Sequence, residues 1–183
     1  MLSCPSKKIA CISLVVLLTG IFAFTGLNGF FQYTNQTEFC ISCHSMQMNH
    51  EEYKKTLHYK NAAGIQATCA DCHVPKDVFP KFYAKIYAVK DVYHEIMGTV
   101  DTKEKFEARR WHMANVVWDK MRATDSRECR SCHEYTNMEI SAQDRLAGKK
   151  HTRAAAEGEA CIDCHAGIVH TEPLEPMEPL EPM

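Results

Sequence analysis

The chain has 183 residues, 45% of them hydrophobic and 24% charged, with a formal net charge of -2 at pH 7. That is the length of one domain with an appendage and the composition of a folded chain, and the near-neutral charge excludes a nucleic-acid binder. Ten cysteines stand beside ten histidines, and eight of those cysteines share one spacing, which excludes a simple disulfide scaffold and a plain cytosolic enzyme.

Residues 1–8 carry Lys7 and Lys8, and from Ile9 to Phe31 no side chain is charged. As a helix that run reaches roughly 34 Å, enough for a hydrocarbon layer of about 30 Å. A cleaved signal peptide has an apolar region of only about 7–15 residues, and Asn28-Gly29-Phe30-Phe31 offers no small-x-small cleavage site. The pattern predicts a retained single-pass signal anchor over 9–31 in the inner (cytoplasmic) membrane. Lys7 and Lys8 hold residues 1–8 in the cytoplasm, and the chain from Gln32 onward lies in the periplasm. Phe30, Phe31 and Tyr33 suit the interface at the exit. Cys4 and Cys11 read as free apolar thiols without a role.

Four C-x-x-C-H motifs follow: Cys40-Ile-Ser-Cys43-His44, Cys69-Ala-Asp-Cys72-His73, Cys129-Arg-Ser-Cys132-His133 and Cys161-Ile-Asp-Cys164-His165. This is the attachment pattern of c-type haem: two thiols add to the haem vinyl groups and the next His reaches the iron from the same turn. Chance would supply roughly 0.03 such matches in a chain of this composition. C-x-x-C also serves zinc knuckles and redox dithiols. Neither needs a His after the second Cys four times over. The expected cofactor is therefore four covalently bound haems c.

The motifs begin at 40, 69, 129 and 161, two close pairs around a longer insert, which suggests a duplicated di-haem unit. His58 lies inside the first pair and His151 inside the second. A lone His at matching places reads as a second axial ligand, and His170, just past the fourth motif, is a third candidate. His50, His94 and His112 read as ordinary surface or core residues. Met46, two residues after His44, is either a thioether ligand that would raise the haem potential or a packing residue.

Within the insert, Phe79, Phe82, Ile86, Val89 and Tyr93 recur at helical spacing over residues 75–93, with Lys76, Lys81, Lys85 and Lys90 on other faces. Such a helix beside an anchor lies on a membrane surface or packs over haem. Gly98 suits its end. Residues 102–123 read as a second helix, with Asp101 and Glu104 as its cap and Phe106, Met113, Val117 and Met121 as its core stripe. Arg109, Arg110 and Lys120 read as a solvated face. Glu172 to Met183 is two copies of Glu-Pro-Leu-Glu-Pro-Met, an extended, disordered tail. Residues 32–171 are left as a tetrahaem domain with about 35 residues per haem, too few for a conventional core. The expected fold is mainly α and loop-rich, organised by cofactor, with close haems passing electrons along a chain.

The anchor, the four motifs, the Cys40-to-Met46 run as C-x-x-C-H-x-M and Asp91-Val92-Tyr93 resemble the NapC/NirT/NrfH family of membrane-anchored tetrahaem cytochromes c. The runs Gly98-Thr99-Val100-Asp101-Thr102, Asp125-Ser126-Arg127-Glu128-Cys129-Arg130 and Cys161-Ile162-Asp163-Cys164-His165 look most like its NapC branch, which serves periplasmic nitrate reductase. The resemblance implies a protein that oxidises quinol, menaquinol or ubiquinol, and passes electrons to a periplasmic reductase. It implies Met46 rather than His44 on the first iron, as in the NrfH branch. It also implies Asp91 at the quinol site as proton acceptor, with Lys85 or its neighbour beside it. It pairs His58 with His133, His170 with His73 and His151 with His165. Relatives carry a His three residues after the second motif, where this chain has Lys76. A branch with a fifth haem serves trimethylamine N-oxide reduction, and the lack of a fifth motif before residue 183 argues against it.

The leading expectation is thus a quinol dehydrogenase acting as an electron-transfer subunit, with the quinol pool and a periplasmic reductase as partners and homo-oligomerisation left open. Donation to a nitrite or trimethylamine N-oxide reductase is the near alternative. A multihaem reductase acting directly on a small substrate is the distant one, and a passive anchored wire without a quinol site is a third.

Overall fold

The computed structural model describes residues 4–175, and among them every regular element is helical. Residues 1–3 of the expected cytoplasmic segment and 176–183 of the expected tail lie outside the described residues.

Helix α1, Cys4–Tyr33, outruns the charge-free stretch at both ends. Over Lys7–Tyr33 its mean hydropathy is 2.3 and none of it is buried, so it is long and apolar enough to cross a membrane. A fully exposed apolar helix of this length is unstable in water and needs an apolar medium around it. Cys11 is exposed on it.

Short helices then carry the cysteine motifs: α2 Thr37–Cys40, α3 His44–Tyr53, α4 Cys69–His73, α8 Arg127–Arg130 and α10 Ile162–His165. The expected helix over 75–93 is two, α5 Val78–Tyr87 and α6 Val89–Ile96. At Ala88 the backbone tightens to ψ -12°, away from the ψ near -42° of a running α-helix. That re-aims α6 toward the start of α3. Gly98, at φ +68°, ends this segment as its position suggested.

Helix α7, Lys103–Ala123, is the longest outside the membrane segment, and it packs against α3 and α10. Its cap is Thr102, whose hydroxyl accepts from Lys105 N at 3.3 Å, rather than Asp101, whose carboxylate pairs with the Lys105 ammonium at 2.8 Å. Thr102 is one residue closer to the helix start, where an N-cap side chain must lie. Two 3₁₀ turns, Tyr135–Asn137 and Ile140–Ala142, lead into α9, Arg145–Glu157. Asp144 caps α9 at its start and Gly158, at φ +70°, closes it.

The core is as thin as the residue count predicted. The buried apolar side chains are Tyr53, Ala84, Phe106, Trp118 and Ile162. Of the expected α7 stripe only Phe106 is fully buried, and Met113, Val117 and Met121 are half-buried. Trp118, one position off the stripe, takes the second core place. Arg110 is not on a solvated face: its side chain is 11% exposed and pairs with Glu52.

Candidate functional site

Local hydrogen bonding sets three of the motifs alike. In the second, Thr68 and Asp71 form a reciprocal capping box, and the helix runs through to His73. In the third, His133 N donates to Cys129 O at 2.9 Å, and in the fourth His165 N donates to Cys161 O at 3.0 Å. Each is one closed helical turn from first Cys to His. The first motif differs: Cys43 is extended at ψ 137°, α2 ends at Cys40 and His44 opens a new helix. His44 therefore leaves its motif in a direction the other three do not share.

Three histidine pairs face one another. The ring centroids of His58 and His133 are 6.1 Å apart, those of His73 and His170 6.2 Å, and those of His151 and His165 5.9 Å. Two imidazoles binding one metal from opposite sides, each nitrogen about 2 Å from it, set their centroids about 6 Å apart. The residues present therefore fit a six-coordinate haem iron at each pair. Among the described residues no three or more His, Cys, Asp or Glu converge on one point, as a zinc site requires. Burial pushes His58, His73 and His170 below the ordinary imidazole value, His73 to about 4. All three are thus held in the neutral form that ligates metal. His151 Nδ1 lies 2.6 Å from Gln143 Oε1, which leaves Nε2 to face His165.

The pairing does not respect two like halves. His151 faces the fourth motif, next to it in sequence, but His58 crosses to the third and His170 returns to the second. The di-haem duplication read from spacing is therefore absent at the level of ring pairs, because the chain interlocks its halves.

The attachment cysteines are neighbours in chain order. The neighbouring Cys69 side chain, then burial, pushes the Cys40 thiol up. Burial, then the charge of nearby Cys129, pushes the Cys72 thiol up to about 11. Burial, then nearby Cys161, likewise raises Cys129. The motifs form a series from first to fourth. The first lies beside the exit of α1, where Lys85 Nζ donates to Thr34 O at 2.9 Å and Phe31 meets Phe82 edge-on at 6.3 Å.

That first motif has no facing imidazole among the described residues. His44 is exposed, and Met46 is half-buried one turn into α3. Glu95 of α6 grips the start of α3: its carboxylate accepts from His44 N at 2.8 Å, Ser45 N at 3.3 Å and Ser45 Oγ at 2.6 Å. Asp91 lies one turn before Glu95 on the same face of α6. It keeps an exposed edge, yet crowding by neighbouring atoms pushes its carboxyl above the ordinary carboxylate range. Burial lowers the Lys85 ammonium against the opposing pull of Cys40. Lys85 of α5 thus lies near Cys40 of the first motif, and Asp91 shares a face of α6 with the Glu95 that grips the start of α3.

His50 packs against Tyr53 and Tyr59, His94 bonds Thr99 Oγ1 at 3.0 Å and His112 is exposed. Residue-by-residue reading missed Glu95, Gln143 and the Glu52–Arg110 pair. Glu52 and Glu95 share helices with Met46 and Asp91, whereas Gln143 lies in the turn before α9 and Arg110 on α7, so nothing in the sequence signals those two. Ser126, fully buried at φ +47°, was missed as well, and its hydroxyl accepts from Ile162 N at 3.2 Å.

A helical chain with four C-x-x-C-H turns, facing histidines and one membrane-length helix defines an anchored multihaem c-type cytochrome. The NapC/NirT cytochrome c family, N-terminal region, matches residues 4–175, and the chain belongs to that family. A protein named as a tetraheme c-type cytochrome from Allochromatium vinosum is 55% identical over 171 residues, 93% of each chain. Cytochrome c-type protein NapC of Escherichia coli K12 is 42% identical over 92% of this chain and 86% of its own. TorY of Escherichia coli O157:H7 is 50% identical over 76% of this chain but only 38% of its own, longer sequence. Among solved structures, the cytochrome c nitrite reductase NrfHA complex bound to the inhibitor HQNO contains a chain of like fold. It has a TM-score of 0.50 and 24% identity, over 92% of this chain and 93% of that one.

Proposed function

We propose that the chain is a tetrahaem, membrane-anchored quinol dehydrogenase that passes electrons to a periplasmic terminal reductase, nitrate reductase foremost. The carrying observation is that the one motif without a facing imidazole is the motif beside the membrane helix. Residues 9–31 anchor the chain, and residues 32–171 hold the haems on the periplasmic side. Bound haem iron supplies one-electron chemistry at each site.

His133 with His58, His73 with His170 and His165 with His151 would each hold one haem iron, and Cys40, Cys43, Cys69, Cys72, Cys129, Cys132, Cys161 and Cys164 would attach the four groups. Met46, rather than His44, would hold the first iron, a reading supported by the broken turn at Cys43. Asp91, its carboxyl raised in pKa, takes the proton that quinol releases on oxidation, which is general-base work. Lys85 presents a positive charge to the oxygen losing that proton. Electrons enter at the first site and leave through the series of adjacent motifs. A second reading keeps the donor and changes the acceptor, because identity to TorY over the shared region exceeds that to NapC.

Reduction of the haems by menaquinol and ubiquinol analogues in proteoliposomes tests the proposal, with dithionite giving the total. Wild type should be reduced rapidly and in part, and Asp91→Asn should be slowed at least about tenfold, the smaller end of general-base effects being about 10²-fold. A holoprotein that no quinol reduces sinks the reading, and unaffected Asp91→Asn rates remove Asp91 from it.

A further inference from the structure

Helix α10 ends at His165, and residues 166–171 run on in turns and bends. His170 lies in that stretch, so no helix sets the direction of its ring. Two distant side chains do so instead. Glu52 of α3 and Arg110 of α7 pair at 2.5 Å, with their side chains 21% and 11% exposed. The same two groups take both backbone polar atoms of Thr171, the residue after His170. Thr171 N donates to Glu52 Oε2 at 3.0 Å, and Thr171 O accepts from Arg110 Nη2 at 2.9 Å. The other arm of Arg110 reaches Glu107 Oε1 at 3.1 Å. Glu52 Oε2 also stands 3.9 Å from His170 Nδ1, beside the ring but beyond hydrogen-bond reach.

A pair this dry is a poor source of net stability, since desolvation offsets most of the attraction. What it supplies is direction. A guanidinium fork and a carboxylate fix their partners in angle as well as distance. Here both ends of the fork are tied to separate helices, and the gripped backbone of Thr171 directly follows His170, which faces His73.

We propose that Glu52 and Arg110 are positioning residues for the second haem, holding His170 on its iron through the Thr171 peptide. The proposal rests on the reading of His73 and His170 as that iron's axial pair. Neither residue touches the iron, and both act through backbone.

The test uses the full-length holoprotein in detergent and counts low-spin and high-spin haems by electron paramagnetic resonance and visible absorption. His170→Ala sets the reference: one haem more than in wild type should become high-spin. Glu52→Ala and Arg110→Ala should each convert that same haem, with four haems still attached, and added imidazole should return it to low spin. Arg110→Lys keeps the charge but loses the fork, and should convert part of that haem. Should the alanine variants yield no holoprotein, Arg110→Lys and Glu52→Gln decide on the same readout. An unchanged low-spin count in the clamp variants, with one haem lost in His170→Ala, overturns the proposal and leaves the ligand reading standing. An unchanged count in His170→Ala overturns the ligand reading and the proposal with it.

Discussion

At the scale of single residues, α6 carries two carboxylates on one face, Asp91 and Glu95. Glu95 satisfies two backbone N–H groups and a hydroxyl at the start of α3, donors that α3 cannot satisfy itself. Replacing it with Ala leaves them unpaired and should cost about 1–3 kcal/mol. Thermal unfolding of the holoprotein should show a lowered Tm, with the first haem's spectrum altered and the other three unchanged. Asp91 sits one turn away with its carboxyl raised by burial. A raised carboxylate stays protonated to higher pH, and a protonated base cannot accept a proton. Quinol-dependent haem reduction should therefore fall as pH drops through that raised value. The pH–rate profile of Asp91→Asn should lack this acid limb. In stability the sign runs the other way: the neutral carboxyl is the favoured folded form, so its contribution is present at low pH and lost as pH rises through the raised value.

At the scale of elements, helices here are short because three of the motifs need only one closed turn, and turns between them set direction. The α6-to-α7 turn is a case. Gly98 has φ +68°, and a Cβ there would lie 3.1 Å from Asp101 Oδ2. Gly98→Ala adds left-handed strain to that close contact, a cost of about 1–2 kcal/mol. A lowered Tm, with quinol reduction slowed because α6 carries Asp91, is the expected result of scanning calorimetry beside the reduction assay. The aromatic periodicity over 75–93 was legible, but the break at Ala88 was not. Alanine is a good helix former, so nothing at Ala88 itself signals the place where the axis turns. Similarly, Trp118 rather than the expected Met or Val fills the core, because α7 is packed by α3 and α10 from a direction no single helix can report.

At the scale of the molecule, the five buried apolar side chains among the described residues cannot hold this chain together by themselves. The series of adjacent motifs implies that the attached groups replace the missing core. Intact-mass measurement should find four covalent haem additions, and Cys69→Ala with Cys72→Ala should remove one and lower the Tm of the remainder steeply. A chain that loses one haem without losing stability would contradict a core built from cofactor.

The sequence alone determined the membrane-length helix, the four attachment turns, the scarcity of core and the set of candidate histidines. Each is a local pattern of composition or spacing that needs no partner to be recognised. Spacing suggested two like halves, each with its own bridging His. Family resemblance alone anticipated the crossing of His58 to the third motif and the return of His170 to the second. Only the tertiary structure brought those rings within about 6 Å and supplied what holds them: Gln143 behind His151, and Glu52 with Arg110 behind His170. The physical reason is the range of the interactions. A thiol pair and the next His act across one turn, whereas an axial pair joins residues 75 and 97 positions apart. Nothing local in a chain records which distant ring will stand opposite.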